Sequence, residues 1–97
     1  MMFKREFDWD RGNLLKCQKH GLTQEEIEAF FLQDPLFLSP DLNHSHLEQR
    51  FYALGKAHKG KRAIVVFTIR EERIRPISAR YMHEKEIKRF KKDYPGF

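Results

Sequence analysis

The segment Ala63-Ile64-Val65-Val66-Phe67 is apolar at odd and even positions alike. Side chains of a strand alternate between faces, so a run of this kind needs cover on both. It predicts a central strand inside a sheet, with other elements packed above and below. The neighbouring sequence supplies partners. Phe51 to Lys56 and Arg62 to Arg70 read as a hairpin joined through His58-Lys59-Gly60-Lys61. Leu36-Phe37-Leu38 is a brief apolar strand ahead of a polar loop from Ser39 to His46, and Arg73 to Arg80 forms a further strand.

Helices are marked by their ends. Asp10 is placed to cap a helix running through Leu14, Leu15 and Cys17 to Lys19 or His20, with Gly21 just past its end, where a left-handed residue costs least. Thr23-x-x-Glu26 is a capping box, flanked by Leu22 and Ile27 at the positions of a hydrophobic staple. Ile27, Phe30 and Phe31 then make a core stripe on a helix from about Gln24 to Leu32, stopped before Pro35. A last helix from about Met82 to Tyr94 carries one narrow stripe, Ile87, Phe90 and Tyr94, among lysines and arginines, and ends at Pro95-Gly96. Phe3, Phe7 and Trp9 suggest a short edge strand ending near Asp8, with Trp9 in the core. The expected order is β-α-α-β-β-β-β-α, an α+β fold with helices on a mostly antiparallel sheet.

Ninety-seven residues supply one small core, so residues 1–97 are expected to form one module, which excludes a two-domain enzyme with a separate cofactor-binding half. No stretch of about 18 uncharged apolar residues is present to span a membrane. The net charge of +5 is divided unevenly: residues 1–48 hold 5 basic and 9 acidic side chains, and residues 49–97 hold 14 and 5. A polyanion is therefore expected to meet mainly the C-terminal half. The single cysteine, Cys17, excludes an intramolecular disulfide and a thiolate zinc site, and reads as a small buried hydrophobe. With no apolar leader after Met1, these features fit the reducing cytoplasm.

The strand Arg73-Ile74-Arg75-Pro76-Ile77-Ser78-Ala79-Arg80 contains a parity conflict, because Ile74 and Ile77 cannot share a face of a regular strand. Pro76 lacks the N–H of a central ladder and points to a bulge. A bulge there is expected to place Ile74, Ile77 and Ala79 toward the core and Arg73, Arg75, Ser78 and Arg80 on the other face. Three guanidiniums on one face repel one another unless an anion is present, and phosphate suits their planar forks. A solvated face is the other reading.

Other candidates carry two readings each. Lys19-His20-Gly21 ends a helix in the usual way, with cations opposing the dipole; alternatively His20 moves protons while Lys19 holds a phosphate. Glu48-x-Arg50 places a carboxylate and a guanidinium on one strand face, either as a plain pair or with Glu48 orienting Arg50 toward Arg75 and Arg80. His44-x-His46-x-Glu48 lacks a fourth ligand and reads as a turn rather than a metal site, with Asp41, His44 and Ser45 bonding locally to backbone. Tyr81 either flanks the last helix or stacks on a base, and His83 caps that helix. No phosphate-cradling glycine loop, nucleophile elbow or carboxylate cluster is present. Any catalysis is thus expected to need no metal and no cofactor. The simplest compatible reaction is RNA transesterification by the substrate's own 2′-hydroxyl.

Taken together, Phe7-Asp8-Trp9-Asp10, Lys19-His20-Gly21, Asp34-Pro35, Glu48-x-Arg50, Gly55 and Arg75-Pro76-Ile77-Ser78-Ala79-Arg80-Tyr81-Met82 resemble the BrnT family of type II toxin-antitoxin toxins. The resemblance covers essentially the whole chain, and Arg75 to Met82 is its most specific part. It implies a RelE-like ribonuclease fold, growth inhibition by RNA cleavage, and neutralisation by a BrnA-type antitoxin with a ribbon-helix-helix domain that binds operator DNA. On residues, it supports Lys19, His20, Arg50 and Arg80 as catalytic candidates, with Arg75 and Tyr81 as weaker RNA-binding additions. The alternatives are a non-catalytic co-repressor module and a basic nucleic-acid-binding domain.

Overall fold

A computed structural model describes residues 6–44 and 47–97. Three helices, α1 (Arg11–Gln18), α2 (Gln24–Phe30) and α3 (Glu84–Asp93), accompany a four-stranded antiparallel sheet in the order β1-β2-β3-β4. Its strands are β1 (Phe37–Pro40), β2 (Arg50–Lys56), β3 (Arg62–Arg70) and β4 (Arg73–Tyr81). The edge strand expected from Phe3 to Asp8 is, in its described part, a single parallel bridge between Phe7 and Ile74; Phe3 itself lies outside the described residues. Ile74 N–H donates to the Glu6 carbonyl at 2.9 Å, and Asp8 N–H to the Ile74 carbonyl at 2.8 Å.

β3 is covered on both faces, as its composition requires. On one side Phe67, Val65 and Ala63 pack with Ile74, Ala79 and Ala53 against Cys17 of α1 and Ile27, Phe30 and Phe31 at α2. On the other side Ile64 and Leu54 join Met82 and Phe97, closed over by Ile87 and Phe90 of α3. Trp9 packs at the edge of the first cluster, and its indole N–H donates to Glu28 at 2.8 Å.

Local chemistry sets the helix boundaries. Asp10 and Asn13 cap α1 reciprocally, at 3.0 Å and 2.7 Å, while Thr23 and Glu26 do the same for α2. Gly21, at φ 96°, turns the chain out of α1. Gly55 is required for a different reason: a Cβ there would stand 2.7 Å from the Gln33 carboxamide, which bridges the backbone of Phe30 and Lys56.

The parity conflict in β4 is resolved by a register shift, with one correction. Phe67 pairs with Pro76 and Val66 with Ser78, which leaves Ile77 as the extra residue. Pro76, not Ile77, therefore faces the core with Ile74 and Ala79. The proline ring fills a core position without needing an N–H partner, and Ile77 is displaced to the opposite surface. Asn13, buried in α1, fastens this irregularity by donating to the Pro76 carbonyl at 2.8 Å and the Asp8 carbonyl at 3.0 Å. Arg73, Arg75, Ser78 and Arg80 share the other face, as the parity argument expects.

Candidate functional site

The cross-strand register builds three rows on the sheet face that carries α3. Arg50, Thr68 and Arg75 form the first, Tyr52, Val66 and Ser78 the second, and Leu54, Ile64 and Arg80 the third. α3 packs over the third row; the second is left open as the floor of a cleft of about 220 Å³. Its lining is Lys16, Asp41, Arg50, Tyr52, Val66, Ile77 and Ser78. Lys16 reaches it from α1, and Asp41 from the turn between β1 and β2. A space of this size takes one phosphate or one base, with the rest of any polymer lying across its mouth.

Two cations, Lys16 and Arg50, face one carboxylate and two hydroxyls. Asp41 is only 2% exposed, held beside β2 by its N–H, which donates to the Arg50 carbonyl at 2.8 Å. Its carboxylate lines the cleft beside Tyr52. Burial, and then the neighbouring Asp41 carboxylate, push the Tyr52 phenol above its ordinary value, against a smaller opposing effect of Arg80. Arg50 also stands 3.9 Å from Glu48, which is 3.4 Å from Arg70.

The arginines of β4 find their anions within the protein. Arg73 pairs with Glu71 at 3.3 Å. Arg75, with a side chain 15% exposed, is held between Asp10 at 2.8 Å and Asp8 at 3.6 Å. Hydrogen bonds from the Asn13 backbone and from Arg75 hold the Asp10 carboxyl below its usual value. Arg80 forks onto Glu86 of α3, with both bonds at 2.8 Å, and borders the cleft closely enough for its charge to act on Tyr52.

Of the residues singled out in the sequence, the structure brings Arg50 into the cleft and Arg80 beside it. Lys19 and His20 are exposed at the end of α1, one turn beyond Lys16 on the same side of the helix, and do not line the cleft. Tyr81 points to the opposite sheet face, where Lys61 Nζ sits 5.5 Å from its ring centre. Ser45, His46 and the His44 side chain lie outside the described residues. Among the described residues, no group of three or more His, Cys, Asp or Glu is arranged to hold a metal ion. Cys17 is fully buried, and burial raises its thiol to about 11, so it serves as core.

Lys16, Asp41, Tyr52 and Ser78 were not singled out as site residues by the sequence reading. Tyr52 had a usable signal, since it stands two residues from Arg50 on the same strand and therefore on the same face. Asp41 had none, because its place depends on how β1 returns to β2.

A cationic cleft on an α+β scaffold, with hydroxyls and a buried carboxylate beside its cations, defines a small protein fitted to handle a phosphodiester. The chain belongs to the BrnT family, described as ribonuclease toxins of type II toxin-antitoxin systems, whose family model matches residues 9–86. No curated protein matches the chain closely. Membership makes this a ribonuclease toxin that acts with an antitoxin partner. No described helix is long and apolar enough to cross a membrane.

Proposed function

We propose that the protein is a metal-independent endoribonuclease of the cytoplasm, folded as one unit over residues 1–97, that cuts RNA by attack of the 2′-hydroxyl on the adjacent phosphate. The observation that carries this reading is the cleft itself. Lys16 and Arg50 are placed to hold the phosphate and offset the charge that grows on it in the transition state, with Arg80 at the border. Its one carboxylate, Asp41, is almost fully buried beside β2. Lys19 and His20 extend the cationic side of α1 beyond the cleft, where they meet the flanking strand. Arg75 is held by two carboxylates outside the cleft, and Tyr81 acts on the opposite sheet face.

The partner is a BrnA-like antitoxin whose ribbon-helix-helix domain binds operator DNA, so the toxin meets DNA only through it. Acidic and apolar side chains of that antitoxin cover the arginine-bearing surface and exclude RNA. The purified toxin is expected to cleave single-stranded RNA in excess EDTA and leave 2′,3′-cyclic phosphate ends. RNA with a 2′-deoxy substitution at the cut site should survive. Activity that vanishes with chelator and returns with a divalent ion would refute the mechanism. The Arg80–Glu86 fork favours one second reading, a non-catalytic co-repressor, because it occupies an arginine that catalysis would use; absence of cleavage together with tighter operator binding by the complex would establish it.

A further inference from the structure

The arginines of β4 have carboxylates of their own, but two cations on the same sheet face do not. Lys56 and Arg62 stand opposite each other on β2 and β3, in a fourth row beyond the one that α3 covers. Arg62 donates to the Phe97 main-chain oxygen at 3.0 Å and holds its guanidinium 5.8 Å from the Phe97 ring centre. Its Nε is buried without a hydrogen-bond partner, and an unmet donor inside a fold is one mark of a ligand position. Among the described residues, no carboxylate side chain pairs with Arg62 or Lys56. Both keep their charge for an outside anion, and the unused fork of Arg62 suits a phosphate.

These cations line a pocket of about 160 Å³ together with Asp34, Pro35, Phe37 and Phe97. Its wall is built before any ligand arrives. The Gln33 carboxamide is fixed to the backbone of Phe30 and Lys56 and lies where a side chain at Gly55 would stand. Pro35, Phe37 and Phe97 supply an apolar side fit for a base, and Lys56 and Arg62 a side fit for its phosphate. Asp34 is exposed and its carboxylate only accepts, which favours a base whose edge carries an amino group.

We propose that this pocket is a second RNA subsite, holding one nucleotide away from the cut, with its base against Pro35, Phe37 and Phe97 and its phosphate on Lys56 and Arg62. The inference rests on the RNA-cleaving reading above and adds to it what sets the register of the strand. Tyr52 in the cleft and Lys56 at the pocket are four residues apart on β2. At the rise of a strand that is about 13 Å, a span that a short run of single-stranded RNA covers. α3 lies between them and exposes Lys85, Lys88, Arg89 and Lys92, a cationic surface for the connecting phosphates. A strand already held in the cleft presents its neighbouring nucleotide at high effective concentration, which favours RNA over a separate acidic peptide as the occupant.

The test uses single-stranded RNA carrying 2′-O-methyl at every sugar, which cannot undergo transesterification, as a trinucleotide and a decanucleotide. Binding is read by fluorescence anisotropy for wild type, Lys56→Ala, Arg62→Gln and Arg50→Ala, with thermal melting to show each variant folded. Lys56 is exposed, so its replacement leaves the core intact even if Arg62→Gln loosens Phe97. Wild type should bind the decanucleotide more tightly than the trinucleotide, and Lys56→Ala and Arg62→Gln should each lose about tenfold of that gain, the scale of one charge-assisted contact. Lys56→Ala should also flatten the slope of log affinity against log salt by about 0.7, as for one phosphate on a single strand. Arg50→Ala should weaken both lengths. In nuclear magnetic resonance titrations, the 5′-monophosphates of guanosine and cytidine should shift the Phe37 and Phe97 ring signals. Uridine 5′-monophosphate should bind more weakly, and Asp34→Asn should narrow the difference. Inorganic phosphate that reproduces the ring shifts overturns the base pocket. Wild-type affinity for the decanucleotide in both Lys56→Ala and Arg62→Gln, with Arg50→Ala weakened, overturns the subsite and leaves the cleft reading intact. Loss of antitoxin binding by those two variants would then assign the pocket to that partner. A wild-type protein that binds neither length overturns the RNA reading itself, and the subsite with it.

Discussion

Arg80 of β4 and Glu86 of α3 form a two-bond fork, 2.8 Å on each arm, that ties the last helix to the strand beside the candidate cleft. The same carboxylate accepts the His83 backbone N–H at 2.9 Å, so one side chain caps α3 and anchors it. Arg80, and with it the His83 N–H, holds the Glu86 carboxyl down to about 2.

A carboxyl lowered in the fold contributes stability that is complete above its ordinary value near 4.5 and is lost as pH falls toward about 2. Acid titration across that window is expected to release α3, seen as loss of the near-ultraviolet signal of the Phe90 and Tyr94 cluster. Glu86→Gln should remove this pH dependence and cost about 1–2 kcal/mol at neutral pH, read from urea unfolding.

Arg50→Ala and Arg80→Ala should each lose roughly 10²-fold or more in cleavage rate, the scale for removing one donor to transition-state charge. Arg80→Lys should recover little, because an ammonium cannot reproduce the fork. Equal rates in Arg80→Lys and wild type would mean that Arg80 supplies only diffuse charge. Single-turnover assays on folded variants decide this.

Asn13 carries more than its helix cap, since it also satisfies the Pro76 and Asp8 carbonyls at the bulge. Asn13→Ala leaves buried acceptors unpaired and should cost about 2–3 kcal/mol. Asn13→Asp keeps the cap acceptor and loses both donors, so it should be no better. Chemical denaturation of the two variants measures the difference.

Neutralisation should depend on the basic face of α3. Charge reversal at Lys88, Arg89 and Lys92 is expected to slow association with a BrnA-like antitoxin and to flatten its salt dependence. Association rates that are unchanged from low to high salt would move the interface away from this helix.

The backbone elements were legible because their signals are local. Capping pairs, the Gly21 terminator and the two-sided apolar run of β3 act within a few residues, and each appears where it was expected. The parity conflict in β4 also announced a bulge from sequence alone. It did not show which neighbour would occupy the core, since that depended on Asn13 reaching across 63 positions to the Pro76 carbonyl.

Charge behaved differently. The arginines of β4 looked like a phosphate cluster, yet Asp8, Asp10, Glu71 and Glu86 supply their counter-charges. Composition records that these carboxylates exist, but ion pairing depends on a few ångströms of separation that only the folded chain sets. The cleft follows the same rule: Arg50 and Tyr52 share a face through the two-residue period of a strand, whereas Lys16 and Asp41 arrive from α1 and from the turn after β1. Periodicity along the chain determines which side chains face together, and packing between distant segments decides which of them meet.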